Sequence, residues 1–232
     1  MRRRRVTDVW YLVMSMLSLY LVPFSLSSCT TDSYETGEGT YSRMTADFAE
    51  LRSDGQKKGV SFINDDGVSF ILTKTITASW IATADSTYRT SIYYNKVGEG
   101  MAEPIACSQV TTVRPKQKSE LKKLPQDPLA IESCWLSRQS KYLNLALLLK
   151  NGRNSEGKET THVIGVVLDE MRQNTDGTTT ACYRLLHDRN GAPEYYTNRT
   201  YVSILLPTTN RPDSLQLEAK TNNGSFVRTM KL

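Results

Sequence analysis

Short β-prone segments separated by turn-forming residues dominate the sequence after residue 40. The clearest case is the turn sequence NDDG at 64–67, which separates the apolar runs 60–63 and 68–72. Turn residues ending in glycine between two such runs predict a β-hairpin. Almost no segment shows the 3.6-residue apolar period of a long amphipathic helix. The chain is therefore predicted to be all-β.

The first half predicts a small barrel. A long half-buried strand starts near residue 41, with Met44, Ala46, Phe48 and Leu51 expected on one face. The hairpin follows, and further strands are expected at 88–94 and 105–113. Five short strands in about 75 residues fit a barrel better than a sandwich. We predict an N-terminal OB-like β-barrel over residues 41–113.

Residues 114–128 interrupt the strand pattern with lysines, glutamines and three prolines. Proline lacks the amide proton that a central strand needs. We therefore predict a linker at 114–128, with at most one helical turn near 119–123.

Strand-like segments resume after the linker. The run 142–149 is the most apolar of the mature chain, and 162–168 is β-branched, which predicts a central hairpin joined by the polar loop 151–160. Four more strands are expected, at 181–187, 200–206, 214–220 and 225–231. This half predicts a C-terminal antiparallel β-sandwich over 129–232.

The first 28 residues have the order of parts of a secretory signal peptide. Four arginines at 2–5 precede an apolar run at 9–24, and Leu26, Ser27 and Ser28 lead to Cys29. This end resembles the lipobox of bacterial lipoproteins, whose cysteine is acylated. A transmembrane anchor is the alternative, but Pro23 interrupts a run that would need about 20 apolar residues. We predict a signal peptide at 1–28, a lipidated Cys29 and a tether at 29–40.

The predicted location is the cell envelope, with a lipid anchor in the outer membrane. The sequence does not indicate whether the protein faces the periplasm or the cell surface. Removing residues 1–28 takes away four arginines and Asp8, which leaves 25 basic and 23 acidic residues and lowers the net charge from +5 to +2. A basic nucleic-acid surface is not expected at this charge balance. We therefore predict no nucleic-acid partner.

Three thiols remain beyond the lipobox: Cys107, Cys134 and Cys182. An oxidising compartment allows one disulfide, and Cys134 with Cys182 is the preferred pair because both lie in the second half. The alternative is that all three are buried thiols that act as small hydrophobes.

No pattern predicts catalysis or a cofactor. The sequence has no Gly-x-Ser-x-Gly elbow, no glycine-rich phosphate loop and no Cys-x-x-Cys. Asp65 and Asp66 could be a calcium or acid–base pair, but before Gly67 they are more typical of a turn. His187-Asp188 lacks a serine placed to form a triad with them. We predict no catalytic residue, no metal site, no cofactor and no enzymatic activity.

Aromatic side chains give the candidate binding surface. Tyr195 and Tyr196 follow a turn-like segment at 188–193, and adjacent strand residues point to opposite faces. An exposed tyrosine near Trp135 or Arg138 could contact a sugar or a protein. The alternative is that both tyrosines are packing residues.

The order of these motifs resembles the NigD-like lipoproteins. The resemblance covers nearly all of the mature chain and lies in GTYSRMTADF (39–48), WLSR (135–138), KYLNL (141–145) and PEYY (193–196). It implies a small OB-like barrel followed by a β-sandwich. The family is associated by name with bacteriocin loci and a proposed immunity role, and it supplies no catalytic site.

We therefore expect a non-enzymatic, lipid-anchored envelope protein that acts as a protein-interaction, immunity-like module. Its partners would be the membrane, through the anchor, and an envelope protein. The alternative is a carbohydrate-binding accessory lipoprotein of the cell surface, with a glycan as partner. A third option, an envelope hydrolase, would need convergent carboxylates with raised pKa in one cleft.

Overall fold

The structure is a computed structural model that describes Gly39 and residues 42–153, 156–158 and 160–232. The predicted signal peptide, Cys29 and the tether at 29–40, apart from Gly39, lie outside the described residues. Residues 43–232 form one compact unit. Within the described ranges, no helix is long and apolar enough to cross a membrane.

The N-terminal half is a closed five-stranded barrel, as predicted. Its strands pair in the order β1-β2-β3-β5-β4, and every pair is antiparallel except β3 with β5. The strands are β1 (Thr45–Ser53), β2 (Gly59–Asn64), β3 (Ser69–Ile76), β4 (Thr87–Gly98) and β5 (Met101–Gln109).

The hairpin prediction at 64–67 is confirmed. Strands β2 and β3 pair across this turn, and the Gly67 N–H donates to the Asn64 carbonyl at 2.9 Å. Gly67 has φ +83°, a left-handed conformation that glycine adopts without steric cost.

Along each barrel strand, successive side chains alternate between the barrel core and the outer surface. Leu51 lies fully buried inside the barrel with Phe62, Phe70 and Tyr94, whose rings are in mutual contact. The prediction that Phe48 shares the face of Leu51 is wrong. The two residues are three positions apart in β1, so the two-residue period of a strand places them on opposite faces.

The C-terminal half is a sandwich of two sheets, which confirms the predicted fold. One sheet has the order β14-β13-β11-β10-β7, and the other has the order β6-β12-β9-β8. Parallel pairs occur between β11 and β13, β10 and β7, and β12 and β6. The strands are β6 (Thr111–Val113), β7 (Lys116–Gln117), β8 (Ala130–Leu136), β9 (Tyr142–Asn151), β10 (Val163–Gln173), β11 (Thr179–Asp188), β12 (Tyr196–Leu205), β13 (Ser214–Thr221) and β14 (Gly224–Lys231).

The predicted hairpin between 142–149 and 162–168 is wrong. Strand β9 pairs with β8 and β12, whereas β10 pairs with β11 and β7 in the opposite sheet. Leu145 and Leu147 of β9 and Val166 of β10 fill one shared core from its two sides. An apolar run shows that a strand is buried, but it does not specify the neighbouring strand.

The predicted linker passes from one sheet to the other. It follows β6, contributes the two-residue edge strand β7, and continues through a 3₁₀ turn at Lys118–Glu120. Pairing at an edge agrees with the proline argument, since an edge strand needs hydrogen bonds on one side only. The exact domain boundaries remain predictions.

Candidate functional site

The four residues predicted as a binding surface do not come together. Tyr196 pairs with Asn151 at one end of β9, and Trp135 pairs with Asn144 near the other end. Seven positions at about 3.3 Å each separate them by roughly 23 Å. Tyr195 is 79% exposed and Tyr196 is 40% exposed, so neither tyrosine is a core residue.

Trp135 instead packs where the barrel meets the sandwich. Its ring contacts the Phe48 ring edge-on at 5.5 Å between centroids, and Tyr201 contacts the same Phe48 at 5.3 Å. Arg138 is largely exposed, with its Nη1 atom 4.0 Å from the Asp66 carboxylate. The structure thus places Trp135 in a packing role at the junction between the two halves.

Arg89 is the central residue of this junction. It lies on β4 opposite Glu50 of β1, and its side chain is only 3% exposed. The guanidinium binds both carboxylate oxygens of Asp65, at 2.6 and 2.7 Å, and lies 4.0 Å from the ring centroid of Tyr142. Charge-assisted bidentate pairs of this kind are among the strongest hydrogen bonds in proteins.

Two polar residues of the sandwich complete the network around Arg89. The Arg89 Nε and Nη2 atoms donate to Ser203 Oγ and Asn144 Oδ1, each at 3.0 Å. Asn144 in turn donates to Asp65 at 2.9 Å, and Ser203 donates to Asn144 at 2.7 Å. The ion pair within the barrel is thereby hydrogen-bonded to strands β9 and β12 of the sandwich.

Glu50 forms a second polar link across the junction. Lys141 Nζ and Tyr142 Oη both donate to its Oε1 atom at 2.6 Å. Burial raises the pKa of Glu50, but the hydrogen bonds from Lys141 and Tyr142, together with the positive charges of Lys141 and Arg89, outweigh it and lower the pKa below the ordinary value. The carboxylate therefore stays ionised near neutral pH, which does not suit a general acid.

A cavity of about 780 Å³ opens beside this network. Its polar wall combines Glu50 with three cations, Arg89, Arg114 and Lys141, and its apolar wall includes Leu168. Catalysis by paired carboxylates would need a second acid here, and the described lining residues supply only Glu50. Within the described part of the chain, no three His, Cys, Asp or Glu side chains are grouped closely enough to hold a metal ion.

The outer surface of the barrel carries a continuous apolar area that sequence reasoning missed. Ile71 of β3 pairs directly with Met101 of β5, and Ile63 lies diagonally across on β2. Together with Val97 these residues form what we call the barrel stripe, with exposures between 44% and 64%. The sequence does contain a pattern that indicates this apolar area. In Phe62-Ile63 and in Phe70-Ile71, adjacent residues are both apolar, so one of each pair must face outward.

The Cys134–Cys182 disulfide is absent, and both residues are buried free thiols. Cys134 belongs to the sandwich core, as do Ala181 and Tyr183 on either side of Cys182. Cys182 therefore points to the outer face of its own sheet, and the β-sheet backbone lies between the two sulfurs. Cys134 and Cys182 fit the alternative, in which the thiols pack as small hydrophobes, whereas Cys107 is only partly buried.

The two histidines form a stacked pair at the far end of the sandwich. His162 Nδ1 lies 2.8 Å from His187 Nε2, and the ring centroids are 5.1 Å apart. The His187 Nδ1 atom donates to the Asp127 carbonyl at 3.0 Å. His187 is thus engaged by another histidine and by the backbone, and not by a serine.

Sequence reasoning also missed the junction residues. Asn144 interrupts the most apolar run of the chain, and Arg89 interrupts the β-prone run of β4. A polar residue inside an apolar run signals a buried hydrogen-bond network, because an unpaired buried polar group is costly. Nothing in the sequence indicates that these two residues meet each other.

Comparisons with known proteins agree with the geometry. Residues 110–231 match the family model described as the NigD-like C-terminal beta sandwich domain. No curated protein matches the sequence.

Several solved structures share the fold. One is a NigD-like immunity protein from Bacteroides caccae, with 21% identity over 80% of this chain and 91% of that chain and a TM-score of 0.59. A second is a protein of unknown function from Bacteroides vulgatus, with 14% identity over 82% of this chain and 90% of that chain and a TM-score of 0.60. A third is a candidate lipoprotein from Bacteroides fragilis, with 13% identity over 81% of this chain and 96% of that chain and a TM-score of 0.54. At these identities the likeness concerns the fold.

Proposed function

This chain belongs to the NigD-like family, and we propose that it is a lipid-anchored protein of the cell envelope that acts by binding another protein. The supporting observation is the barrel stripe. Four exposed apolar side chains, one on each of the neighbouring strands β2, β3, β5 and β4, make up this stripe. Contiguous exposed apolar surface of this kind is typical of an interaction site.

The surroundings of the stripe fit a protein interface. Lys74 of β3 and Glu103 of β5 form an exposed ion pair at 2.8 Å beside it. An apolar centre with a charged rim is the usual arrangement of a protein–protein interface. The proposed function is immunity-like, in that the protein would act by occupying its target.

The proposed location in the cell envelope rests on the predicted lipobox. Acylation of Cys29 would add about 0.8 kcal/mol of membrane affinity for each buried methylene, and stable anchoring needs more than one chain. The anchor would hold the barrel and the sandwich at the outer membrane, where an envelope protein can meet the stripe.

Crosslinking in intact cells tests this proposal. We expect the acylated protein to capture a specific protein partner, and Cys29→Ala to lose it together with the membrane fraction. Ile71→Asp should lose the partner while leaving the membrane location unchanged, because only the stripe is altered. Val227→Asp is the matched control, since Val227 is also an exposed apolar strand residue but lies on β14. Capture that survives Ile71→Asp would contradict the proposal.

A carbohydrate-binding role is the second candidate, and the exposed pair Tyr195 and Tyr196 favours it. Flat exposed tyrosine rings can stack on sugars and donate hydrogen bonds. Glu194, directly before them, is held by Lys150 and Arg189, which would give the platform a fixed polar edge. Recovery of glycan instead of protein in the same experiment, abolished by Tyr195→Ala, would replace the first proposal with this one.

A further inference from the structure

A second groove, of about 750 Å³, runs along one edge of the sandwich. Its floor is apolar and includes Val113 of β6 with Ile164 and Val166 of β10. The segment that follows β7 forms one wall, through Leu121 and Pro125. The groove thus lies between the edge strands of the two sheets.

The edge of β10 is only partly covered. Strand β7 pairs with Val167 and Leu168 and with no earlier residue of β10. Among the described residues, 163–166 therefore have no strand partner on this side. An uncovered strand edge is a template for another extended chain.

The hydrogen-bond pattern shows which backbone groups face the groove. The His187 N–H donates to the Pro125 carbonyl at 3.1 Å, and the His187 carbonyl accepts from the Asp127 N–H at 2.9 Å. Both groups of His187 thus point away from β10. His187 is paired with Ile164, so this is a non-hydrogen-bonded pair of the antiparallel ladder. The N–H and carbonyl of Ile164 consequently point outward, towards the open edge.

The rim of the groove is basic. It carries Arg114, Lys116 and Lys123 against a single acid, Asp188. In the described part of the chain, none of these three cations forms an ion pair. A ligand with negative charge at its flanks would be complementary to this rim.

We infer that this groove binds an extended acidic segment of a partner protein as an added β-strand next to residues 163–166 of β10. Backbone hydrogen bonds to Ile164 would supply the affinity, as in other cases of strand addition. Alternate apolar side chains of the segment would reach the floor, and acidic ones would meet Lys116 and Lys123. This inference rests on the proposed function, since it specifies the kind of segment by which a protein partner is held.

Purified full-chain protein and three synthetic peptides test the inference. The first probe is an eight-residue peptide of alternating valine and glutamate, and the second replaces every glutamate by lysine. The third is the valine–glutamate peptide with a central proline, which cannot donate the backbone hydrogen bond. We expect only the first to slow hydrogen exchange of the Ile164 amide, by about tenfold or more when the site is saturated.

Charge reversal at the rim supplies the matched variants. Lys123→Glu should weaken binding of the valine–glutamate peptide by about tenfold, because attraction at the rim becomes repulsion. Lys231→Glu reverses another exposed lysine, on β14, and should leave binding unchanged. An Ile164 amide that no peptide protects, or that the lysine peptide protects equally well, would overturn the inference.

The two proposals fail separately. If the peptides do not bind while the barrel stripe still captures a protein in cells, the groove inference is wrong and the proposed function stands. If the peptide binds at Ile164 but no partner is captured in cells, the proposed function fails instead.

Discussion

The guanidinium of Arg89 binds both carboxylate oxygens of Asp65, at 2.6 and 2.7 Å, at the point where the barrel meets the sandwich. Asp65 lies in the β2–β3 turn, and the same carboxylate accepts a hydrogen bond from Asn144 of the sandwich. One ion pair therefore connects a barrel turn, a barrel strand and a strand of the sandwich. Its removal should affect both halves of the protein together.

Replacing Arg89 by methionine should destabilise the protein by about 3–5 kcal/mol, because Asp65 loses the cation that compensates its partly buried charge. Urea unfolding followed by circular dichroism measures the change. Lys74→Met is the control, since it removes an ion pair whose lysine is exposed, and its effect should be small. Equal effects of the two variants would contradict the central role of Arg89.

Gly67→Ala should cost about 1–2 kcal/mol, the usual penalty for a side chain in the left-handed region. The added Cβ would also press against the Gln139 side chain. The control is Gly55→Ala, where the nearest atom to a new Cβ is 3.8 Å away. Comparison of the urea midpoints tests this prediction, and equal midpoints for the two variants would refute it.

Cys134 and Cys182 should both be recovered as free thiols from protein prepared without reductant. Burial raises the pKa of the Cys134 thiol to about 11, so little reactive thiolate is present at pH 8. We expect slow reaction with a thiol reagent in the native state and fast reaction in urea, with both sites located by peptide mass spectrometry. A peptide that links Cys134 to Cys182 in an unreduced digest would contradict the structure.

Stability should fall as the pH decreases from 7.5 to 5.5. Burial lowers the pKa of His187 and of His162, and repulsion from His187 lowers that of His162 further. Below pH 6.5 the unfolded chain therefore binds more protons than the folded chain, and protonation favours unfolding. Urea unfolding at several pH values measures this slope.

The two histidines are the only ones in the chain, which makes the pH window selective. The lowered pKa of Glu50 means that this carboxylate affects stability only below its ordinary value of 4.5. His187→Gln should therefore flatten the slope between pH 7.5 and 5.5, whatever its effect on stability at pH 7.5. An unchanged slope in this variant would show that the histidine pair is not responsible.

Local patterns were sufficient to predict much of the fold. The turn at 64–67 was predictable because its residue types and the flanking runs agree on one hairpin. The barrel and the sandwich were predictable because strand length and turn spacing depend on neighbouring residues. The pairing of β9 with β12, and not with β10, was not predictable because apolar alternation is the same for either partner.

The same distinction, between features set by adjacent residues and features set by strand pairing, applies to the candidate sites. The sequence by itself determined the all-β class, since strand length and turn spacing depend on residues adjacent in the chain, and the lipobox stays a prediction from the sequence alone. Only the tertiary structure decided that Trp135 packs on Phe48, that Cys134 and Cys182 lie on different sides of a sheet, and that Ile164 faces an open edge. These facts depend on which strands become neighbours, and that is settled by the packing of the whole core.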